Sequence, residues 1–365
     1  MKILHLSTAE SWGGGEQQIL YLIEGISRRS PSTEQSLFCS ENSPLIAKVQ
    51  QKKIKTVFYR KGFLYKLQAA NLLTNFCRKQ SIDLIHIHDS HAHSIAYYSV
   101  LFYFNKTTML LSRKFAKAPS TFSIQKYRLK NIKKIIAVSS SVKKLLESKL
   151  KNAKQIDVIY DAVDLSRFEK KVKGLKSEFG LAEQTKVIAY VASLHEGKDH
   201  ETFLKVAKKI IDQRNDCHFL IVGKGPMKSK IEDSIKAKDI SDFVTMTGFR
   251  DDVAGLLTQV DLLLFTSRYE ALASTVLEAF ASGVPVLCSE IAGLNEMAQN
   301  EKTALTAAVG DIEAFTKKAV LLIDDEIKAG KLSKEARKYV LGFGLQDFAE
   351  KHLKIYKALI CALKK

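Results

Sequence analysis

The sequence predicts an α/β protein built from two doubly wound parallel-sheet domains. Short apolar runs alternate with segments of helical periodicity along the chain. Strands that are apolar along their whole length are typical of parallel sheets covered by helices on both faces. The 365 residues are more than one ordinary domain of this class needs, and they suit two.

The first half of the chain is predicted to form one such sheet. Its predicted strands span 2–7, 82–88, 107–112, 134–139 and 155–160. Apolar residues at helical spacing predict helices over 15–29, 92–104 and 141–150. A polar, charged stretch then separates two apolar blocks, so we expect the first domain to span 1–163.

The second half restarts the alternation, and we expect its domain to span 164–345. The predicted strands are 186–193, 217–223, 242–248, 260–267 and 285–289. Helices are expected over 199–212 and 275–282, from Met227 and after Asp251. An amphipathic segment, 346–363, predicts a last helix that packs back on the first domain. Its inward side chains should be Phe348, Leu353, Ile355, Tyr356 and Leu359.

Composition indicates a globular protein of a reducing compartment. Five scattered cysteines without a CxxC pair argue against a disulfide framework and a structural zinc site. The first residues contain too few apolar side chains for a signal peptide, and no run approaches the roughly 20 apolar residues that span a bilayer. We therefore expect a cytoplasmic protein without a membrane span.

The positive charge is concentrated in the first half. Residues 1–163 hold 26 Lys and Arg against 10 Asp and Glu, whereas the remainder holds 31 against 29. Such a field attracts anionic lipid, acidic glycolipid or nucleic acid. The basic run lacks interleaved aromatics and a nucleic-acid recognition motif, which makes nucleic acid the least favoured partner. The alternatives are a solvated basic face or an anionic partner at the inner face of the cytoplasmic membrane, and we favour the second.

A glycine-rich turn, WGGGE at 12–16, joins the first predicted strand to a helix. Gly14 and Gly15 let the backbone approach an anion, and a helix N-terminus supplies N–H groups. The spaced GxGxxG fingerprint of dinucleotide-binding proteins is missing, and many such turns are only tight connections.

The segment 267–296 holds a stronger pattern. Ser274 and Thr275 open a helix at the carboxyl end of a predicted strand, where open α/β sheets bind ligands, although such residues often serve only as N-caps. Carboxylates at Glu270 and Glu278 can accept hydrogen bonds from sugar hydroxyls, and Lys198 can neutralise phosphate. Together these groups predict a nucleotide-sugar site.

Four histidines in HIHDSHAHS, 86–94, leave three interpretations open. They could be core histidines, acceptor-site residues with His88 and His93 foremost, or metal ligands. No further ligand cluster follows, and no DxD motif of the metal-dependent transferases is found. We therefore expect no metal site, no divalent-ion requirement and no cofactor beyond the co-substrate.

These motifs resemble the retaining glycosyltransferases of family 4, which have the GT-B fold. The resemblance covers nearly the whole chain and rests on segments in the family's order: WGGGE, IIAVSSSVKKLL, VIYDAVDLSRF, SLHEGKDH, LIVGKGP, TGFRDDV and the glutamate segment that ends in SGVPVLCSEIAGLNE. It implies that the donor's base and ribose bind the second domain. Glu278 would bind the ribose, Glu270 would lie near the donor sugar, and Lys198 would bind the diphosphate. Gly14 and Gly15 would join from across a cleft. The remaining residues assigned to donor binding are Gly223, Arg250, Ser274 and Thr275.

The chain departs from the family pattern at two places. Ser193 stands where the family usually has an arginine, so one phosphate charge would be either unpaired or met elsewhere, where Arg250 or Arg113 could serve. Ala271, Leu272 and Ala273 replace a common Gly-Phe-Gly.

The acceptor side also differs from the family's usual residues. Arg113 and Lys114 stand where a histidine is common, which resembles bacterial transferases of lipopolysaccharide cores and suits an anionic acceptor. The resemblance implies retaining sugar transfer to a glycan or glycolipid of the cell surface. Catalysis would fall to Glu270, His88 and Lys198, without a covalent nucleophile. The alternatives are a nucleotide-sugar 2-epimerase and a degenerate transferase that acts as a scaffold.

Overall fold

The computed structural model describes residues 1–52, 54–150, 155–168 and 174–362. The chain divides into two compact units. The first consists of Met1–Ala162 together with Leu345–Lys365, and the second is Val163–Gly344. No helix in these described ranges is long and apolar enough to cross a bilayer.

The first unit is a seven-stranded parallel sheet in the order β3-β2-β1-β4-β5-β6-β7. Its strands are β1 (Lys2–Leu6), β2 (Glu34–Ser40), β3 (Lys55–Tyr59), β4 (Leu84–Ile87), β5 (Thr108–Arg113), β6 (Ile132–Ala137) and β7 (Ile156–Val158). Its first six helices are α1 (Gly14–Arg29), α2 (Leu45–Gln50), α3 (Tyr65–Gln80), α4 (Ser90–Tyr103), α5 (Thr121–Tyr127) and α6 (Ser140–Glu147). The order reverses between β1 and β4, so the loops after these two strands open a crevice at the carboxyl edge.

The second unit repeats this plan with a six-stranded parallel sheet in the order β10-β9-β8-β11-β12-β13. The strands are β8 (Lys186–Val191), β9 (Cys217–Val222), β10 (Val244–Gly248), β11 (Leu262–Phe265), β12 (Val286–Ser289) and β13 (Leu305–Ala307). The helices are α7 (Leu175–Glu178), α8 (His200–Ile211), α9 (Lys228–Ala237), α10 (Val253–Leu257), α11 (Ser274–Ser282), α12 (Ala292–Asn295), α13 (Ile312–Asp324) and α14 (Glu326–Val340). Here the reversal lies between β8 and β11.

The last helix, α15 (Leu345–Cys361), packs on α1 of the first unit. A methyl group added at Gly25 of α1 would come within 2.7 Å of the Ala349 Cβ atom, so glycine permits the close approach of the two helices. Phe348, Leu353 and Tyr356 join the buried core of the first unit. Ile355 and Leu359, also expected to face inward, are only partly buried there.

Candidate functional site

The two loops at the reversal point of the second unit carry the site predicted for the donor. The loop after β8 ends in a short 3-10 helix, Glu196–Lys198, and the loop after β11 carries Glu270. The Lys198 Nζ atom donates a hydrogen bond to the Glu270 Oε1 atom. The Tyr190 hydroxyl, from β8, donates to the Lys198 carbonyl and fixes the loop from below. Lys198 and Glu270 therefore meet at the edge where α/β sheets bind ligands.

Two glycines allow these loops to lie close to their neighbours. Gly223, after β9, has φ of +148°, and a Cβ atom there would overlap the Ala192 carbonyl. Gly293 likewise packs against the Glu270 carbonyl with no room for a Cβ atom. Gly223 thus supports the Lys198 loop through its backbone.

The first turn of α11 presents N–H groups without a side-chain cap. Ala273 is the N-cap residue, and it has no side-chain hydrogen bond to the helix. Ser274 and Thr275 therefore lie inside the first turn, and neither caps the helix. None of residues 271–273 has a positive φ, so replacing the family's glycines by alanines imposes no backbone strain. This helix start can accept an anion.

Glu278 lies one turn further along α11 in a largely buried position. Its side chain is 18% exposed, and the Arg167 Nη1 atom lies 4.0 Å from its Oε1 atom. Burial raises the pKa of Glu278 to about 7, against the lowering effect of the Arg167 charge. Burial of this carboxyl group costs stability even with the Arg167 charge nearby, as is common for groups kept for binding.

The arginines of the second unit differ in how far carboxylates engage them. Arg250 pairs with both Glu178 and Asp252, so its guanidinium group is already neutralised. Arg268, which was not predicted from the sequence, lies on the loop after β11 and contacts the Lys198 loop. Its Nε atom is 3.0 Å from the Asp199 Oδ2 atom, and its backbone N–H donates to the Gly197 carbonyl. Its position directly after β11 was the signal that could have identified it.

A hydrogen bond joins the two loops that border the crevice of the first unit. The Thr8 backbone N–H, after β1, donates to the Asp89 Oδ2 atom at 2.7 Å. Asp89 also caps α4 by accepting from the His91 and Ala92 N–H groups. The glycine-rich turn lies beside these loops, with Gly13 as the N-cap of α1 and Gly14 and Gly15 as its first turn.

Glu16, in the same first turn, was also missed as a candidate residue. Burial raises its pKa to about 7, and the Lys114 charge opposes this effect. Its neighbours in the crevice include the charges of Lys114 and Asp89. An acidic side chain directly after three glycines was the available signal.

Three of the first unit's histidines form a buried network. The His5 Nδ1 and His88 Nε2 atoms are 3.0 Å apart, and the His86 ring bonds the Tyr356 hydroxyl at 2.6 Å and the Ser112 hydroxyl at 2.7 Å. Burial lowers the pKa of each ring, so all three are neutral at pH 7. Ring nitrogens of the three lie within 4.8 Å of one another, the arrangement of a metal-ligand group. Both ring nitrogens of His86 have hydrogen-bond partners, which fits the core interpretation of His86.

The other residues expected at the acceptor lie at the carboxyl edge of the first sheet. His93 is buried in α4, and its ring contacts Tyr127 edge-on with centroids 4.8 Å apart. Arg113 ends β5 and donates to the Lys117 carbonyl. Lys114 pairs with Asp161, with an Nζ to Oδ1 distance of 3.0 Å, and is therefore less available to an acceptor than the sequence suggested.

Each unit matches a family model of sugar-transferring enzymes. Residues 12–167 match Glycosyltransferase Family 4, and residues 172–339 match Glycosyl transferases group 1. Together the two matches span most of the chain.

Individual proteins show the same similarity. The chain is 26% identical to the N-acetyl-alpha-D-glucosaminyl L-malate synthase of Bacillus anthracis over 284 residues, 76% of this chain and 74% of the relative. It is 29% identical to the UDP-Gal:alpha-D-GlcNAc-diphosphoundecaprenol alpha-1,3-galactosyltransferase of Escherichia coli over 209 residues, 55% of this chain and 54% of the relative. The crystal structure of Anabaena HepE in complex with UDP-glucose superposes with a TM-score of 0.87 at 17% identity, covering 98% of this chain and all of the other. The expected GT-B fold, with two Rossmann-like domains, is confirmed.

Proposed function

Because the chain belongs to glycosyltransferase family 4, we propose that it transfers a sugar, with retention of configuration, from a nucleoside-diphosphate sugar to an anionic surface glycan or glycolipid. The observation that carries the proposal is the meeting of Lys198, Glu270 and the uncapped start of α11 at one sheet edge. Anabaena HepE, whose fold matches over the whole chain, binds UDP-glucose. The Escherichia coli relative acts on a lipid-linked diphosphate acceptor, which supports a glycolipid.

The proposed mechanism relies on charge stabilisation rather than on a covalent nucleophile. Lys198 and the N–H groups that open α11 stabilise the diphosphate as negative charge develops on it. The departing phosphate oxygen then accepts the proton of the acceptor hydroxyl on the same face. Glu270 orients the donor sugar and Glu278 binds the ribose hydroxyls, while His88 contributes to the acceptor side. No divalent metal takes part, and the protein works at the inner face of the membrane.

The test combines binding with transfer. A panel of nucleoside diphosphates should raise the thermal unfolding midpoint for one base above the others, because a ligand that binds only the folded state stabilises it. Lys198→Ala should lower the transfer rate by about 100-fold, the typical effect of losing one charge-stabilising donor. Arg250→Ala is the matched control, since its charge is held by Glu178 and Asp252, two carboxylates outside the assigned site. Equal rates for Lys198→Ala and wild type would refute the site, and release of epimerised sugar without acceptor would refute the reaction.

A further inference from the structure

Three cationic side chains converge at the carboxyl edge of the first unit's sheet. Arg113 ends β5, Lys126 lies in α5, and Lys66 lies in the first turn of α3. The Lys126 Nζ atom donates to the Ser94 hydroxyl at 3.1 Å. Burial lowers the pKa of Lys126, and the charges of Lys66 and Arg113 lower it further. Lys126 therefore lies near enough to each of the other two charges to be repelled by it.

No carboxylate offsets this repulsion within the described part of the chain. Neither Lys66, Arg113 nor Lys126 forms an ion pair with any described acidic residue, whereas Lys114 nearby is paired with Asp161. Like charges gathered without a counter-charge destabilise a fold. Such a group is maintained where an anion binds.

Two buried polar atoms beside these charges also lack partners. The His93 side chain is only 1% exposed, and its Nε2 atom has no hydrogen-bond partner among the described residues. The Arg113 Nε atom is likewise buried and unpaired there. His93 feels the charges of both Lys126 and Arg113, so it lies within the same cluster. Unsatisfied buried polar atoms cost free energy unless a ligand forms hydrogen bonds with them.

Apolar side chains flank the cluster on the surface. The Arg113 guanidinium carbon lies 5.6 Å from the centre of the Phe115 ring, which is 58% exposed. Two further apolar residues directly precede α3: Phe63 is 91% exposed and Leu64 57%. A cationic site with an apolar flank suits a ligand that carries both an anionic group and an apolar chain.

We propose that Lys66, Arg113, Lys126 and His93 bind a phosphate group of the acceptor, and that the acceptor is a phosphate-linked glycolipid. The exposed side chains that would contact its apolar chain are Phe63, Leu64 and Phe115. The proposal rests on the proposed function and refines it by moving the anion-binding role from the Arg113–Lys114 pair to this cluster.

The experiment titrates the full chain with decyl phosphate in a calorimeter. The double variant Lys66→Gln/Lys126→Gln should bind about 100-fold more weakly than wild type, roughly tenfold for each charged hydrogen bond. Lys79→Gln, an exposed lysine at the other end of α3, should bind like wild type. Removing two mutually repelling charges should leave the unfolding midpoint unchanged or raised, which separates loss of binding from loss of fold. Unchanged affinity in the double variant would overturn the site.

Two further probes separate the phosphate from the lipid. Inorganic phosphate should bind more weakly than decyl phosphate, and decyl glucoside should bind more weakly than either in this site. If inorganic phosphate bound as tightly as decyl phosphate, the lipid assignment would be overturned. If decyl glucoside bound as tightly as decyl phosphate, the phosphate assignment would be overturned. Stabilisation by nucleoside diphosphate in the double variant tests the donor site separately. If no nucleoside diphosphate stabilised the wild-type protein while decyl phosphate still bound it, the transfer function would be refuted but this site would not.

Discussion

At the scale of single residues, the second unit contains a carboxyl group whose burial opposes its ionisation. In unfolded chains a glutamate ionises at a pH near 4.5, whereas the pKa of Glu278 is about 7 in the folded protein. The folded state therefore binds a proton that the unfolded state has already released between these pH values. The stabilisation that the protonated Glu278 contributes is complete below pH 4.5, and it is lost as the pH rises through about 7.

Glu278→Gln should remove this dependence. The variant should unfold at the same temperature as wild type at acid pH and at a higher temperature at pH 8. The gain corresponds to roughly 3 kcal/mol, from a pKa displacement of about 2.5 units. Donor affinity should fall in the same variant, because the carboxylate that binds the ribose is gone. Thermal unfolding between pH 4 and 8 measures the effect, with the exposed Glu183→Gln as control. A gain that is equal at every pH would contradict the assignment to ionisation.

At the same scale, the sequence could indicate which residues carry chemistry but not which charges are already neutralised. Lys198 and Glu270 follow predicted strands, and strand ends meet at one sheet edge, so their proximity was predictable. The pairing of Arg250 with Glu178 joins residues 72 positions apart and depends on tertiary structure. The same holds for Lys66 and Lys126, whose convergence no local pattern indicates.

At the scale of elements, the central strands were predictable and the edges of both sheets less so. β3, at the edge of the first sheet, is partly exposed and begins with a lysine, and β13 has only three residues. Neither offers the continuous apolar run by which central strands such as β9 are identified. β2 and the helices α3, α13 and α14 were not predicted from the sequence either.

The close packing of the loop after β9 leads to a prediction about that element. Gly223→Ala should lower stability by about 3 kcal/mol, because alanine disfavours a φ of +148° and its methyl group would overlap the Ala192 carbonyl. Displacement of the Lys198 loop should also weaken nucleoside-diphosphate binding. Gly330→Ala, in α14 with open space around it, should stabilise by about 0.5–1 kcal/mol. Unfolding midpoints of the two variants provide the comparison, and equal midpoints would show that the loop tolerates a side chain.

At the scale of the whole molecule, the net charge of +18 is concentrated in the segment 1–163. If the protein works at an anionic membrane, sedimentation with phosphatidylglycerol vesicles should exceed that with phosphatidylcholine vesicles. Each lysine or arginine near such a surface contributes about 1 kcal/mol, and salt screens this attraction. Raising the salt from 0.05 to 0.5 M should therefore reduce binding by at least about tenfold. If the amount that sediments depended on neither the lipid charge nor the salt concentration, the basic face would be a solvated surface instead.

The return of α15 to the first unit also has a consequence for biosynthesis. The second unit is one continuous stretch of chain, Val163–Gly344, and all of it is translated before α15. The first unit, although most of it is translated first, lacks the side chains of α15 that fill its core until that helix has been made. The apolar surface that α15 covers therefore stays exposed while the whole second unit is synthesised. The half translated first is thus the half that completes its core last, and its apolar surface is the one exposed longest during synthesis.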